Sequence, residues 1–521
     1  MNPMLTSEEY AALIDAASER VSQVAISTPL ESAPNLSARL GRSIFLKRED
    51  LQPVFSFKLR GAYNKMAVLK EQESIEEFER GFITASAGNH AQGVAFSASK
   101  LGVKATIVMP ETTPKIKVDA VKRYGGEWVE VVLHGDNFTA ALQHSWDPAI
   151  KLSRLYVHPY DDADVIAGQG TIAKELFAQS THHPIDTIFI PVGGGGLLAG
   201  IAVYLKQKNP NIKIIGVESE DSACLKAALA AGERVILPEV GIFADGVAVA
   251  QIGQEPFRIV KEFMQPDDVI TVSTDEICAA IKDVFEDTRT LAEPAGALAV
   301  AGLKKYADKN PGEKGNWVAI VSGANVNFDR LRHIAERTEL GEKREALLAV
   351  TIPERPGSFL KFCELLGRRS ITEFNYRYAD THEAHIFVGV QCQDRDKELP
   401  ALLEVLQQND YPVSDLSSDE MAKLHIRHMV GGHTQYVERE DLFRVEFPER
   451  PGALLHFLKG LGGRWNISLF HYRNHGAAYG RVLMGLQVPA KQKAELLACL
   501  DKLGYPYWEE VSNPAYRLFL E

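Results

Sequence analysis

The sequence has few side chains that could form disulfide bonds or a metal site. Its 521 residues include only five cysteines, an odd number, and none stands in CxxC spacing. The histidines of "HEAH" at 382–385 are three residues apart in a predicted strand turn, which is not a zinc-binding arrangement. We therefore expect reduced cysteines, no disulfide framework and no metal ion. The cysteines are Cys224, Cys278, Cys363, Cys392 and Cys499.

Positive charge is also scarce. Lysine and arginine number 57 against 69 aspartates and glutamates, so the formal net charge is -12 and the isoelectric point lies near 5.8. A chain without an overall positive field is not expected to bind nucleic acid or an anionic membrane. Small molecules are the expected partners.

Long uninterrupted apolar runs are missing. The most apolar window, "DTIFIPVGGGGLLAGIAVYL" at 186–205, contains four consecutive glycines and begins with an aspartate, unlike a membrane span of about 20 apolar residues. The first 20 residues resemble neither a secretory signal nor an arginine-rich transit peptide. We expect a globular cytoplasmic protein.

From about residue 40 to 330, short β-branched runs alternate with longer helix-like stretches. This alternation predicts an α/β fold with a largely parallel sheet. Most of the runs end in glycine, proline or serine, so the loops at the carboxyl edge of the sheet are where a ligand is expected. The predicted strands lie within 80–86, 104–110, 154–159, 186–192, 212–218 and 316–322.

The last third of the chain contains a repeat. "VTIPERPGSFLKFCELLG" at 350–367 matches "VEFPERPGALLHFLKGLG" at 445–462, with a period of 95 residues from Pro353 to Pro448. Each copy has the pattern β-α-β-β-α-β, which indicates two duplicated α+β domains rather than a solenoid. The predicted regions are 1–335 with two α/β subdomains, a charged linker at 336–345, a first copy at 346–430 and a second at 441–521.

"SFKLRG" at 56–61 places Lys58 between Phe57 and a leucine, just before a predicted helix. A lysine that condenses with a carbonyl group benefits from partial burial, which lowers its pKa. An ordinary lysine can also lay its stem along apolar neighbours. The stretch alone does not decide between these interpretations.

Four glycines, Gly193, Gly194, Gly195 and Gly196, separate a predicted strand from a predicted helix. Backbone N–H groups in such a turn can bind a phosphate at the helix start. The lysine of a nucleotide-hydrolysing loop is missing. Two alternatives stay open: a tight turn without a ligand, and a dinucleotide site in which Glu218 would bind a ribose.

Two further strand ends have small polar residues. The first, in "SAGNHAQG", has Ser86, Gly88, Asn89 and His90, which could bind an anionic group at a helix start. The same residues also fit a purely structural interpretation, in which Ser86 or Asn89 caps the helix and His90 is packed in the interior. The second, "SGAN" at 322–325, could present the hydroxyl of Ser322 to a ring nitrogen.

Together, "KREDLQPVFSFKLRGA", "SAGNHAQG", "PVGGGGLLAG", "LAEPAGA" and "SGAN", in this order and spacing, resemble the fold-type-II pyridoxal-phosphate enzymes, in particular the threonine deaminase family. The two C-terminal copies resemble the ACT-like regulatory domains of the biosynthetic, isoleucine-controlled members. The resemblance implies a tryptophan-synthase-β-like catalytic region of parallel-sheet layers, followed by two ferredoxin-like ACT-like domains, and a homotetramer.

The resemblance also implies roles for the motif residues. Lys58 would bind pyridoxal 5'-phosphate covalently and remove the substrate α-proton, while Phe57 would support the ring of the cofactor. Asn89 would donate to the 3-oxygen of the ring, and Ser322 would face the ring nitrogen. The remaining implied contacts are with the phosphate (Gly193, Gly194, Gly195, Gly196 and Leu197) and with the substrate carboxylate (Ser86, Gly88, Asn89 and His90).

The implied reaction is α,β-elimination of L-threonine, and of L-serine, with 2-oxobutanoate and ammonia as the products from threonine. Isoleucine would inhibit and valine would activate, near Tyr376 and Tyr472, which occupy matching places in the two copies. Glu293 in "LAEPAGA" is interpreted as a helix-start carboxylate without an assigned role. Another fold-type-II lyase, a β-replacing enzyme or a non-catalytic amino-acid sensor remain as alternatives.

Overall fold

The computed structural model divides the chain into two compact units, Met1–Ile334 and Ala335–Glu521. The structure describes residues 5–147, 154–353, 362, 365–366, 371–376, 383–428, 440–448, 465–473 and 479–520. In these ranges no helix is both long enough and apolar enough to cross a membrane.

The first unit contains two sheets. One has six strands in the order β1-β2-β10-β7-β8-β9, all parallel except for the antiparallel pair β1 and β2, and the other has four parallel strands in the order β5-β4-β3-β6. The strands are β1 Leu30–Ser32, β2 Ser43–Arg48, β3 Phe82–Ala85, β4 Ala105–Met109, β5 Val129–Leu133, β6 Leu155–Tyr156, β7 Thr187–Pro191, β8 Lys213–Ser219, β9 Val269–Val272 and β10 Asn316–Val321.

All six predicted strands are present, and the α/β fold is confirmed. β1, β2, β5 and β9 were not among the predicted strands. β1 is only three residues long, so it carries almost no alternating pattern, and β5 lies at the edge of its sheet with no fully buried residue. The fully buried strands β3, β4 and β7 show the continuous apolar runs typical of parallel sheets.

Helices connect the strands of both sheets. Several begin with a side chain that satisfies the free N–H groups of the first turn, as in the capping boxes of Thr6 with Glu9 and Ser273 with Glu276. The helices of this unit are Ser7–Val21, Pro34–Leu40, Lys58–Gln72, Ile75–Glu79, Asn89–Leu101, Lys115–Gly125, Phe138–Ser145, Ala163–Gln179, Gly196–Lys208, Cys224–Ala231, Gln254–Val260, Thr274–Thr288 and Pro294–Lys309.

The second unit contains two antiparallel sheets of the same design, with strand orders β12-β13-β11-β14 and β16-β17-β15-β18. This is the predicted ferredoxin-like arrangement in both copies. Of the helix predicted after each "PERPG", only residues 362 and 365–366 of the first copy are described, and they are helical; in the second copy this helix lies outside the described residues. The strands are β11 Glu345–Pro353, β12 Ile371–Tyr376, β13 Glu383–Gln391, β14 Val413–Asp415, β15 Asp441–Pro448, β16 Asn466–Arg473, β17 Tyr479–Gln487 and β18 Tyr507–Glu509.

The helices described around these sheets are Arg330–Gly341, Arg395–Gln408, Glu420–Leu424, Lys493–Leu503 and Pro514–Phe519. The predicted linker at 336–345 overlaps the helix Arg330–Gly341 and reaches the first residue of β11, and its role as a domain boundary stays a prediction. Charge density alone does not distinguish a linker from a polar helix.

One hydrophobic cluster joins the two copies, in addition to the separate core of each sheet. It combines Leu347 and Phe387 of the first copy with Leu442 and Leu483 of the second. Phe519, from the last helix of the second copy, meets the ring of Phe387 edge-on, with 5.8 Å between the ring centroids. The two sheets are therefore packed as a single body.

Candidate active site

Lys58 is the first residue of the helix Lys58–Gln72 and is partly buried. Its Nζ donates to the backbone carbonyl of Pro159 at 3.0 Å and lies 5.4 Å from the centroid of the Phe57 ring. Burial lowers the pKa of Lys58 to about 8, although the nearby Glu293 carboxylate acts in the opposite direction. Near pH 7.5 the fraction of Lys58 in the neutral amine form is therefore larger than that of a lysine exposed to solvent.

The "SGAN" segment lies directly against the segment before Lys58. The N–H of Phe57 donates to the carbonyl of Ser322 at 3.2 Å, and the N–H of Ala324 donates to the carbonyl of Phe55 at 2.9 Å. These bonds place Ser322 beside the start of the lysine helix. The Ser322 hydroxyl is buried and donates to the carbonyl of Ala295 at 3.2 Å.

The glycine run forms the turn between β7 and the helix Gly196–Lys208. Gly195 has φ of +90°, and a Cβ on Gly193 would lie 2.9 Å from Val247 Cα. In the part of the chain that the structure describes, the N–H groups of Gly194, Gly195 and Gly196 donate to no protein acceptor. Buried N–H groups without partners are rare, and here they favour an anionic ligand.

Asn89 begins the helix Asn89–Leu101 after β3. Its Nδ2 donates to Glu293 Oε1, and its Oδ1 accepts from Asn325 Nδ2 at 2.8 Å. Glu293 occupies the cap position of the helix Pro294–Lys309 but makes no capping bond with its side chain. The interpretation of Glu293 as a helix-start carboxylate therefore holds for its position only, since its side chain bonds to Asn89.

One cavity brings most of the predicted site residues together. Together with the open solvent at its mouth it spans about 460 Å³ not filled by protein atoms, and both Lys58 and the glycine turn line it. The described residues that line it are Phe57, Lys58, Asn89, Tyr160, Pro191, Gly193, Gly194, Gly195, Gly196, Leu197, Gly246, Val247, Glu293, Ala295 and Ser322.

Ser86, Gly88 and His90 are not among the described residues that line this cavity. Ser86 Oγ accepts from the N–H of Gly88 at 3.2 Å and of Ala91 at 3.3 Å, so it satisfies free N–H groups at the helix start. His90 is buried with Nε2 at 3.0 Å from the carbonyl of Val157, and burial lowers its pKa to about 3. Binding of the substrate carboxylate by these residues stays a prediction.

Glu218 does not serve the dinucleotide alternative. Its two carboxylate oxygens accept from the N–H groups of Leu225 at 2.7 Å and Lys226 at 2.9 Å. Burial raises its pKa to about 7. Both N–H groups belong to the first turn of the helix Cys224–Ala231. The Glu218 side chain is fully buried there, so its carboxylate has no free edge for a ribose.

Several residues of the site were missed by the sequence reasoning. Pro159 and Tyr160 follow β6, one of the predicted strands, so the rule that ligands bind at strand ends could have found them. Asn325 belongs to the quoted "SGAN" motif. Gly246 and Val247 lie between helices, in a stretch without a readable pattern.

The predicted effector residues lie at the limit of what the structure describes. Tyr376 ends β12 and Tyr472 lies in β16, while their side chains are outside the described atoms. The "PERPG" loops are described only at Pro353 and Pro448, where β11 and β15 end. Their role in effector binding stays a prediction.

The donor set fits pyridoxal phosphate, the cofactor implied by the resemblance. An amine suited to a carbonyl group, open N–H groups suited to a phosphate, and a hydroxyl suited to a ring nitrogen line one cavity. A dinucleotide would leave the amine without a function.

Comparison with known proteins agrees with this geometry. Residues 21–323 match the family model of pyridoxal-phosphate dependent enzymes, and residues 336–426 and 431–520 each match the C-terminal regulatory domain of threonine dehydratase. The chain is 56% identical to the biosynthetic L-threonine dehydratase IlvA of Burkholderia multivorans over 96% of this chain and 97% of that one.

The corresponding Escherichia coli protein is also 56% identical, over 95% of this chain and 94% of its own length. Among solved structures, the processed form of threonine deaminase isoform 2 from Solanum lycopersicum matches with a TM-score of 0.60 and 47% identity. That match covers 64% of this chain and 93% of the tomato chain. The chain therefore belongs to the threonine dehydratase family of pyridoxal-phosphate dependent enzymes, with two C-terminal regulatory domains.

Proposed function

We propose that this protein converts L-threonine to 2-oxobutanoate and ammonia, and accepts L-serine as a second substrate. The product would enter isoleucine biosynthesis, as the word "biosynthetic" in the names of its relatives suggests. The observation that carries the proposal is the single cavity shared by the Lys58 amine and the glycine turn. A coenzyme whose ring carries an aldehyde and, on the adjacent carbon, an arm ending in a phosphate matches these two features.

When bound, pyridoxal phosphate withdraws electrons from the α-carbon of an attached amino acid, which makes the α-proton acidic. Lys58 is the base placed to receive that proton. Because its pKa is lowered to about 8, a useful fraction of the amine is neutral at physiological pH. The carbonyl of Pro159 holds the Nζ at 3.0 Å and gives the charged form a partner between proton transfers.

The start of the helix Asn89–Leu101 would receive the carboxylate of the substrate. Its first N–H groups and its dipole favour a negative charge, and Ser86 and Gly88 lie immediately before it. His90 would lie beside this carboxylate as a neutral ring, because burial lowers its pKa and its Nε2 contacts the carbonyl of Val157.

Ser322 would direct the reaction toward elimination. An aspartate in its place would keep an adjacent ring nitrogen protonated, whereas the Ser322 hydroxyl is neutral, and its hydrogen can rotate from the carbonyl of Ala295 to an unprotonated ring nitrogen. A weaker electron sink favours rapid loss of the β-hydroxyl over transamination.

The C-terminal unit would sense isoleucine as inhibitor and valine as activator. Its membership of the threonine dehydratase regulatory family supports this, as does its duplication. Typical allosteric coupling of about 1–3 kcal/mol would change threonine affinity by about 5- to 150-fold. The homotetramer and the cytoplasmic location stay predictions from the sequence.

The test compares the wild type with Lys58→Ala and with a matched control. Lys65 lies in the same helix and pairs with Asp162 and Asp164 at 2.9 Å, so Lys65→Ala removes a lysine outside the cavity. We expect a yellow wild type whose colour borohydride reduction fixes to the peptide containing Lys58, and threonine turnover that isoleucine suppresses. Lys65→Ala should keep both properties and Lys58→Ala should lose both. A Lys58→Ala variant that retained wild-type turnover would refute the proposal.

A further inference from the structure

Glu293 is a buried carboxylate whose function the sequence left open. It is 4% exposed, and its two oxygens accept hydrogen bonds from two residues, Asn89 and Asn325. Oε1 accepts from the side-chain amide of Asn89, and Oε2 accepts from the backbone N–H of Asn325 at 3.1 Å. Both acceptors are in use, and both bonds lead to the wall of the cavity.

Asn325 completes a closed set of bonds with the same amide. Its Nδ2 donates to Asn89 Oδ1 at 2.8 Å and to the carbonyl of Val54 at 2.8 Å. The amide of Asn89 is thus held at its nitrogen by an acceptor and at its oxygen by a donor. The reversed amide would place oxygen against the Glu293 carboxylate and nitrogen against the Asn325 amide, and both contacts would repel.

Two glycines leave the space that these three side chains occupy. A Cβ on Gly323 would lie 3.0 Å from Glu293 Cδ and 3.3 Å from Asn89 Nδ2. A Cβ on Gly246 would lie 3.6 Å from Glu293 Oε1 and 3.9 Å from Asn89 Nδ2, and only 2.8 Å from Ala295 Cβ. Burial, followed by the charge of Asp245, raises the pKa of Glu293 to about 7.

We propose that Glu293 and Asn325 are positioning residues that fix the orientation of the Asn89 amide, so that its second N–H is presented to the 3-oxygen of the coenzyme. An amide nitrogen carries two hydrogens, and Glu293 takes only one of them. The reversed amide would present its oxygen to an oxygen of the coenzyme. This inference rests on the proposed function, because it uses the coenzyme in the cavity.

The test measures coenzyme binding and its visible spectrum in Glu293→Gln and Asn325→Ala. A glutamine offers one acceptor where two are needed, so either Asn89 or the backbone of Asn325 faces a donor. Each variant should raise the coenzyme dissociation constant about 5- to 10-fold, the usual effect of one hydrogen bond. The pH midpoint of the visible band should also move.

A merely structural role is separated in two ways. Glu218→Gln removes one acceptor from another buried carboxylate that binds two backbone N–H groups, so it should lower stability without moving the visible band. In an Asn89→Ala background, adding Asn325→Ala, which changes no charge, should leave the spectrum and the dissociation constant unchanged, because no amide remains to be oriented.

The outcomes distinguish this inference from the proposed function. If the wild type holds no coenzyme at Lys58, the proposed function fails. If the wild type holds it but Glu293→Gln and Asn325→Ala give the spectrum and affinity of Glu218→Gln, only the positioning inference fails. A further effect of Asn325→Ala in the Asn89→Ala background would also overturn it. Asn325→Ala keeps the test decisive if Glu293→Gln fails to fold, since Asn325 is only partly buried.

Discussion

The ionisation of Lys58 in the coenzyme-free protein can be measured directly. A pKa of about 8 places it 2.5 units below the reference value of 10.5. At pH 7.5 about 25% of such an amine is neutral, against about 0.1% of a lysine with the reference pKa, a gain of roughly 200-fold. As the pH falls through 8, the ammonium forms and the capture of an aldehyde should decline.

The assay is competitive labelling of lysines with a small amine-reactive reagent, read by mass spectrometry as a function of pH. Lys397 is a suitable internal reference, because it is exposed and a hydrogen bond to Asp394 raises its pKa. Labelling of Lys58 should have its midpoint near pH 8, far below that of Lys397. In Glu293→Gln the midpoint should fall further, because the Glu293 carboxylate raises the pKa of Lys58.

A Lys58 midpoint at or above that of Lys397 would refute the reasoning, since burial would then not control this amine. A midpoint near 8 that rises in Glu293→Gln would refute only the assigned effect of the carboxylate. Slow labelling at every pH reports restricted access, so the midpoint rather than the rate is compared.

Three further variants test other parts of the structure. Gly195→Ala should lower the free energy of unfolding by about 1–2 kcal/mol, because Gly195 has a φ of +90°, and should also weaken coenzyme binding in a dialysis assay. Gly41→Ala is the control: Gly41 has a φ of +65° with open space around it, so this variant should affect stability alone. Ser322→Asp should raise the ratio of transamination by-products to 2-oxobutanoate, measured by product chromatography, and an unchanged ratio would contradict the role given to Ser322. Arg60→Met should destabilise the first unit by about 3–5 kcal/mol in urea unfolding, because the buried Glu49 would lose the guanidinium 2.8 Å away and keep hydrogen bonds from the uncharged side chains of Thr28 and Gln52; no loss would show that the pair is energetically neutral.

Much of the site could be predicted because its elements are local. Lys58, the glycine run and Ser322 each lie within a few residues of a strand end or helix start, and such patterns are readable in short windows. In a parallel sheet, strand ends converge on one edge, so their assembly followed from the fold class.

The remainder depends on contacts between distant residues. Asn89 and Glu293 are 204 positions apart, and Asn89 and Asn325 are 236 apart, so their hydrogen bonds depend on tertiary packing alone. The same applies to Pro159, whose carbonyl meets an amine 101 positions away. A local pattern cannot report which of many polar side chains will meet across two sheets.

The common core of the regulatory unit bears on how its two halves can communicate or be separated. Phe519 at the extreme carboxyl end covers a strand of the first half, so a truncation that removed the second half would strip apolar cover from the first. Each half also has a separate core behind its own sheet, so an isolated half would keep that core and expose the apolar residues of the shared cluster. Duplication here has produced two regulatory domains that are joined by a shared apolar interface rather than by a flexible tether.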